Sequence, residues 1–371
     1  MSAYTAGAAC ARRGPAGPIS EGKQGVVDSD VTEMIAAACE FLVSHQDADG
    51  HWRDYELPPG RSESWITGCV GVALNSAEDL LVPDPRRTLA LDRAVATLRD
   101  SQRPGGWGYN RSVSCDADTT SWVVRLMATR DPGYPLTADV FTGYITPVGA
   151  VRTFPSPVFG SWAEEHDEVA PMAGLALLAL GDTLTIETIR AHTVSRHLDN
   201  GKWDSFWWRS DAYVAAHNLT FLALSGGIPR GIAEAEQERL SEAVGPASGW
   251  LDPGCEPSFD IAQRLITAVR LEAFGYVALL CQALLAARLP DGGWPASMGL
   301  LVPGQRTPTT EMFADDRRLL STAMAVLALT DVVRAARLGL TTTDKSTTAA
   351  PTAEPVGSSV SRSAAGRPAG G

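Results

Sequence analysis

The stretch SVSCDADTTSWVVRLMA, residues 112–128, sets Asp116 and Asp118 one residue apart and follows them with Thr119 and Thr120. Val123, Val124, Leu126 and Met127 then continue an apolar helical pattern. Carboxyl and hydroxyl side chains ahead of an apolar run commonly cap a helix, accepting from the free N–H groups of its first turn. Two carboxyls this close can also do acid chemistry. Burial and the charge of its neighbour keep one of them neutral, able to work as an acid inside an oily cavity. For these four residues in isolation capping is the better reading, so the elements that position them decide the matter.

Those elements repeat. Six times a helical stretch runs into a turn built from Gly and Trp: QDADGHW at Trp52, QRPGGWGY at Trp107, VFGSW at Trp162, DNGKW at Trp203, ASGWLDP at Trp250 and LPDGGW at Trp294. A second, more apolar helix follows each turn, beginning near Ser64, Asp116, Asp167, Ser210, Phe259 and Asp316. Helices apolar on most faces are covered all round by neighbours, and no β-alternating segment interrupts the series. The expected fold is all-α: six outer–inner hairpins closing into an α6/α6 toroid of twelve helices around a central cavity. Asp116 and Asp118 open the second inner helix.

The totals bound the function. The chain has 371 residues and a formal charge of −12, which argues against nucleic acid or an anionic membrane as partner. None of the six cysteines forms a C-x-x-C pair, and the N-terminus lacks the apolar core of a signal peptide, so a reduced, cytoplasmic protein without stable membrane insertion is expected. Residues 1–29 and 339–371 are rich in small and polar residues and read as disordered tails, leaving residues 30–338 as one domain.

Within that domain FLVSHQDADGHW carries Leu42, Gln46, Gly50 and Trp52 in the spacing of the QW repeat of triterpene cyclases. TLRDSQRPGGW and LLAARLPDGGW match it less fully, the latter with Arg288 in place of Gln. DADTT resembles the D-x-D-D-T acid motif of class II terpene cyclases and stands at the same inner helix. KWDSFWWRSDAYVAAHNL resembles a second segment of those enzymes. The chain thus resembles the class II cyclase β domain, and its D-x-D-T-T form, with Thr119 where the last Asp usually stands, is similar to that of drimane-forming sesquiterpene cyclases.

The resemblance implies protonation-initiated cyclisation of a linear prenyl diphosphate, first of all farnesyl diphosphate, to a drimane-type diphosphate; geranylgeranyl diphosphate or a phosphate-free meroterpenoid come next. It makes Asp118 the general acid and Asp116 the partner that orients or reprotonates it, with Thr119 and Thr120 supplying hydroxyls. The carbocation that follows needs π faces, which attract a cation within roughly 6 Å. Aromatics gather where inner helices begin: Trp65, Trp122, Phe206, Trp207, Trp208, Tyr213 and Phe259. A diphosphate needs cations near the cavity mouth, for which Arg61, Arg209, Arg317 and Arg318 are the candidates. Glu164, Glu165, Asp167 and Glu168 are the candidate ligands for Mg²⁺. His217 reads as a satisfied core histidine, with a base that ends the cascade as the lesser reading, and homodimerisation stays open. The family's usual second, γ domain does not fit this length.

The rivals are weaker. A prenyltransferase β-subunit would need a zinc site, yet all six histidines precede Cys255 and no D-x-C occurs. PGCEPS around Cys255 lacks the glutamine of a thioester domain, and nothing resembles a nucleophile elbow or a nucleotide site. A non-catalytic toroid, used for binding or as a scaffold, remains the alternative of another class.

Overall fold

The computed structural model describes residues 24–244 and 258–339. Six apolar helices form its centre: α2 (Ser64–Ser76), α4 (Ala117–Arg130), α5 (Val169–Leu180), α7 (Ala212–Leu224), α9 (Ser258–Arg270) and α11 (Leu319–Arg337). Each packs on the next in chain order, and α11 packs back on α2, so the succession of neighbours closes on itself. Outside them lie α1 (Gln24–Ser44), α3 (Pro85–Ser101), α6 (Leu184–Asn200), α8 (Arg230–Val244) and α10 (Phe274–Ala286). α1 packs on α2 and α11, α3 on α2 and α4, α6 on α5 and α7, α8 on α9, and α10 on α9 and α11. By length and composition α11 could cross a bilayer, but most of it is buried against α9, α2 and α1.

The Gly-Trp turns are the joints of this arrangement. The indole N–H of Trp52 donates to Leu42 O (2.7 Å), that of Trp107 to Leu98 O (2.7 Å), that of Trp203 to Thr193 O (3.0 Å) and that of Trp294 to Leu284 O (2.7 Å). Each thereby satisfies a carbonyl in or near the last turns of the outer helix before it. The main-chain N–H of Trp52, Trp107 and Trp294 donates in turn to the hydroxyl of Thr67, Thr120 and Thr322 on the following inner helix, at 3.0, 3.0 and 3.1 Å. Gly50 lets the first turn lie flat on α3: it has φ +92°, and a Cβ there would stand 2.8 Å from the Arg93 carbonyl oxygen.

The structure departs from the expected sixfold pattern in four places. Between α4 and α5 no outer α-helix forms; residues 131–168 hold two short 3-10 helices, Ala138–Phe141 and Pro157–Ala163. Pro132, Pro135, Pro147, Pro155 and Pro157, interleaved with Gly133, Gly143 and Gly149, deny that stretch a continuous helical ladder. Secondly, two antiparallel hairpins interrupt the helices: β1 (Glu56–Leu57) with β2 (Gly60–Arg61), and β3 (Leu300–Pro303) with β4 (Thr310–Phe313). Their strands are too short for a period-2 pattern to register. Thirdly, α1 reaches back to Gln24, inside the expected tail; most of both tails, together with Trp250 and Cys255, lies outside the described residues. Finally, Thr120 is a joint of the fold: its hydroxyl accepts from Trp107 N and donates to Trp107 O, as Thr67 does with Trp52.

Replacing Thr120 by Val removes the acceptor but keeps the shape, leaving the buried Trp107 N–H unpaired. Urea unfolding of Thr120→Val is expected to show a loss of about 1–3 kcal/mol. Thr67→Val, at the equivalent joint, is expected to lose about as much.

Candidate active site

Asp116 is the N-cap of α4, in extended backbone. One carboxylate oxygen accepts from Thr119 N (2.7 Å) and the other from the Thr119 hydroxyl (2.8 Å), so the whole acceptor face toward the helix is engaged. Asp118, in the first turn of α4, has no such role; its carboxyl opens into a cavity of about 210 Å³. Trp65 lines that cavity from α2, Asp116, Asp118 and Thr119 from the start of α4, Glu168 and Val169 from the start of α5, and Tyr213 from α7. The hairpins supply Leu57, Pro58, Pro59, Leu300 and Val302, and the loops contribute Tyr109, Val113, Thr153, Phe154, Trp162, Trp207 and Trp208.

Charge is poorly tolerated there. Burial pushes the Asp118 carboxyl up to about 8, and the nearby carboxyls of Asp116 and Glu168 push in the same direction. The Trp65 indole N–H, close enough to ease the charge but outside hydrogen-bond geometry, opposes them only in part. Burial also lifts Asp116 to about 7, against the two bonds from Thr119. The N-terminus of α4 favours an ionised carboxyl by only about 0.3–1 kcal/mol, and desolvation outweighs it. Near neutral pH Asp118 is therefore a carboxylic acid facing an oily space.

The aromatic rings form two groups. Trp65, Trp207, Trp208 and Tyr213 face the cavity as expected. Trp208 stacks on Tyr213 (4.6 Å between centroids) and on Phe259 (4.7 Å), and its centroid lies 6.3 Å from that of Trp65. Phe259, Phe206 and Trp122 do not line it: Phe259 backs Trp208, Phe206 stacks on His166 at 3.9 Å, and Trp122 meets His217 edge-on. His217 is buried and held neutral, driven down to about 3 by desolvation, and its Nε2 has no partner. It is not the satisfied histidine that its sequence context suggests, and it lies outside the cavity lining.

The candidate diphosphate and metal residues do not converge. Arg61 pairs with Glu56 across its hairpin (2.7 Å), exposed to solvent. Arg209 is exposed. Arg317 is held by Asp47 (3.1 Å) and by the carbonyls of His45 and Arg53, and Arg318 by Asp291 (2.6 Å) over the Phe41 ring. Among the described residues no Arg, Lys or His lines the cavity. Glu164 and Glu165 are exposed, Asp167 is bound to Arg196 (2.9 Å), and only Glu168 reaches the lining. Among the described residues no group of three or more His, Cys, Asp or Glu side chains is arranged to hold a metal, so this set does not fit the Mg²⁺ site that the resemblance implies.

Tyr109, Phe154 and Trp162 line the cavity without having been singled out for it. Trp162 looks like a turn tryptophan, but its indole donates to Pro303 O (2.6 Å), far along the chain in β3. Only the missing outer helix ahead of it could have marked the difference.

No family model and no curated protein matches this chain. Solved structures do. The type II terpene cyclase MstE from Scytonema, in its apo form, superimposes with a TM-score of 0.68 at 21% identity over 84% of this chain and 99% of its own. A variant of MstE in complex with its substrate, geranylgeranyl dihydroxybenzoate, gives 0.64 at 22% over 83% and 98%. A protein from Actinoplanes gives 0.66 at 24% over 82% and 100%. The chain thus has the fold of type II terpene cyclases.

An acid raised by folding makes stability depend on pH with a definite sign. Asp118 binds its proton more tightly folded than unfolded, so its burial costs nothing below about pH 4 and progressively more as pH rises toward about 8. Asp118→Asn removes that cost. Denaturation curves are expected to converge at pH 4 and to favour Asp118→Asn increasingly toward pH 8, by up to about 5 kcal/mol.

Proposed function

We propose that this chain is a class II terpene cyclase, an enzyme that closes rings on a linear polyprenyl chain by protonating its terminal alkene. The observation that carries the reading is the neutral carboxyl of Asp118, held at the edge of an aromatic-walled cavity beside the fixed Asp116–Thr119 pair. The closed succession of inner helices supports the α6/α6 toroid that the resemblance implies. The free Cys39, Cys69, Cys115 and Cys281 suit a reducing, cytoplasmic setting.

The Asp118 O–H bond breaks as a C–H bond forms at the terminal alkene carbon. The tertiary cation is attacked by the next alkene, and each ring closure moves the charge along the chain. Trp65, Trp208 and Tyr213 present π faces to it, each worth about 2 kcal/mol when water is excluded. Loss of a proton ends the cascade, so substrate and product are isomers.

The head group is the finer question. The D-x-D-T-T form favours a farnesyl chain and a drimane bicycle. A cavity lined, among the described residues, by Asp116, Asp118 and Glu168 and by no cationic side chain favours a phosphate-free head over a diphosphate. MstE is a structural neighbour with such a ligand. We therefore place a farnesyl or geranylgeranyl arene ahead of farnesyl diphosphate as substrate.

The test is incubation in D2O with farnesyl and geranylgeranyl chains, each as diphosphate and as dihydroxybenzoate, followed by mass spectrometry. A cyclic isomer with one deuterium on a ring methylene carbon is expected from a dihydroxybenzoate. Asp118→Asn is expected to reduce it by about 10³-fold or more. Cyclisation of the diphosphates alone would overturn the head-group choice, and none from a folded protein would overturn the cyclase.

A further inference from the structure

The acid mechanism leaves one proton without a destination, and one cavity group unused. Glu168 stands at the N-cap position of α5, the inner helix packed next to α4, without capping it, and is only 2% exposed. Its Oε1 accepts from Phe206 N (2.8 Å) and Trp207 N (2.7 Å), which fix the side chain against the loop between α6 and α7. Its Oε2 is buried and has no partner. An unpaired buried carboxyl oxygen costs about 1–3 kcal/mol or more, so an unpaired one in a cavity wall calls for a role.

Asp116, Tyr109 and Thr153, which share the lining with Glu168, are engaged. Both oxygens of Asp116 accept from Thr119. Tyr109 donates its hydroxyl to Tyr55 O (2.8 Å), and Thr153 accepts from the Trp207 indole (3.1 Å) while sharing a bond with His166 Nδ1 (2.8 Å).

We propose that Glu168 is the base that ends the cascade, its free Oε2 taking the proton that the final carbocation loses. This rests on the cyclase reading above. The C–H bond next to the cation breaks, its electron pair becomes the new alkene, and the proton bonds to Oε2. One proton has left Asp118 and one has arrived at Glu168. Passing it back to Asp118 restores the enzyme, and no other reactant is needed. The charges agree with this division of labour. Burial raises both carboxyls, but the Phe206 and Trp207 N–H groups favour the ionised form of Glu168, while the neighbouring carboxyls favour the neutral form of Asp118. The carboxylate also faces the growing positive charge from the wall next to the acid.

The experiment is Glu168→Gln, which keeps an oxygen for the Phe206 and Trp207 N–H groups while removing the base. With the substrate that the wild type cyclises, the variant is expected to go on consuming it. The wild-type alkene should fall at least about tenfold relative to other alkenes and to water-quenched alcohols. Glu168→Asp, with its base withdrawn by one methylene, is expected to give a mixture, a result that stands alone if the Gln variant does not fold. An unchanged product ratio would overturn the proposal, as would folded Glu168→Gln that no longer consumes substrate, since Glu168 would then serve the protonation step. A second measurement needs no turnover. N,N-dimethyldodecylamine, whose ammonium group imitates the carbocation, is expected to bind the wild type at least about tenfold more tightly than Glu168→Gln by calorimetry. Equal binding overturns the base, whereas a wild type inert toward every polyprenyl chain bears on the cyclase reading alone.

Discussion

Keeping a proton on a carboxyl near neutral pH requires that bulk water be kept from it. In this chain the requirement falls on Asp118, and much of the architecture serves it. Six apolar helices packed in a closed succession exclude water from the sides, and a wall of indole and phenol rings replaces it with polarisable surface. Hydrogen bonding alone would act in the opposite sense. Asp315, at the start of α11, is as buried as any carboxyl in the protein, but its oxygens accept from the main-chain N–H of Ser297 (2.6 Å) and Ser321 (2.7 Å). That is a cap. Asp116 is a cap too, and Asp118 differs from both in facing empty space instead of a donor.

The parts of the fold readable in the sequence are those that depend on local rules. The inner helices announce themselves by apolar residues on most faces, and their glycine-punctuated joints by residues that only a tight turn needs. The place of Asp116 and Asp118 at the start of an inner helix was readable as well, because a capping residue there precedes an apolar run. The reading failed where distant segments meet. Thr120 lies within the motif but belongs to the Trp107 joint, a function it shares with Thr67 and Thr322 at quite different sequence separations. Arg317 and Arg318 have the charge for an anion site, but Asp47 and Asp291, far off in sequence, already hold them. Glu168 read as one of a metal-binding row of acids, whereas the fold isolates it from Glu164 and Glu165 and turns it toward Asp118.

The cavity roof was the least readable part. It comes from two hairpins of a few residues each, and from a Pro- and Gly-rich passage in place of an outer helix. Trp162 is common to both: its ring faces the cavity and its N–H holds β3. The loop of the β3–β4 hairpin also meets the 3-10 segment directly, Ser161 N donating to Gln305 O (3.2 Å) and Arg306 to Val158 O (3.0 Å). Loops and hairpins thus supply the cavity walls that the helices leave open.

The bond from Trp162 to Pro303 also orders events in time. The two residues are 141 positions apart, and α11, which seals the succession of helices against α2, follows later still. A chain emerging from the ribosome with its N-terminal part first would present α2, α4 and α5 as an open trough. Water would reach Asp118 there, and it would titrate like an ordinary surface aspartate. A carboxyl at Asp118 that keeps its proton near neutral pH is thus a property that no early segment possesses, and it arrives with the last helix.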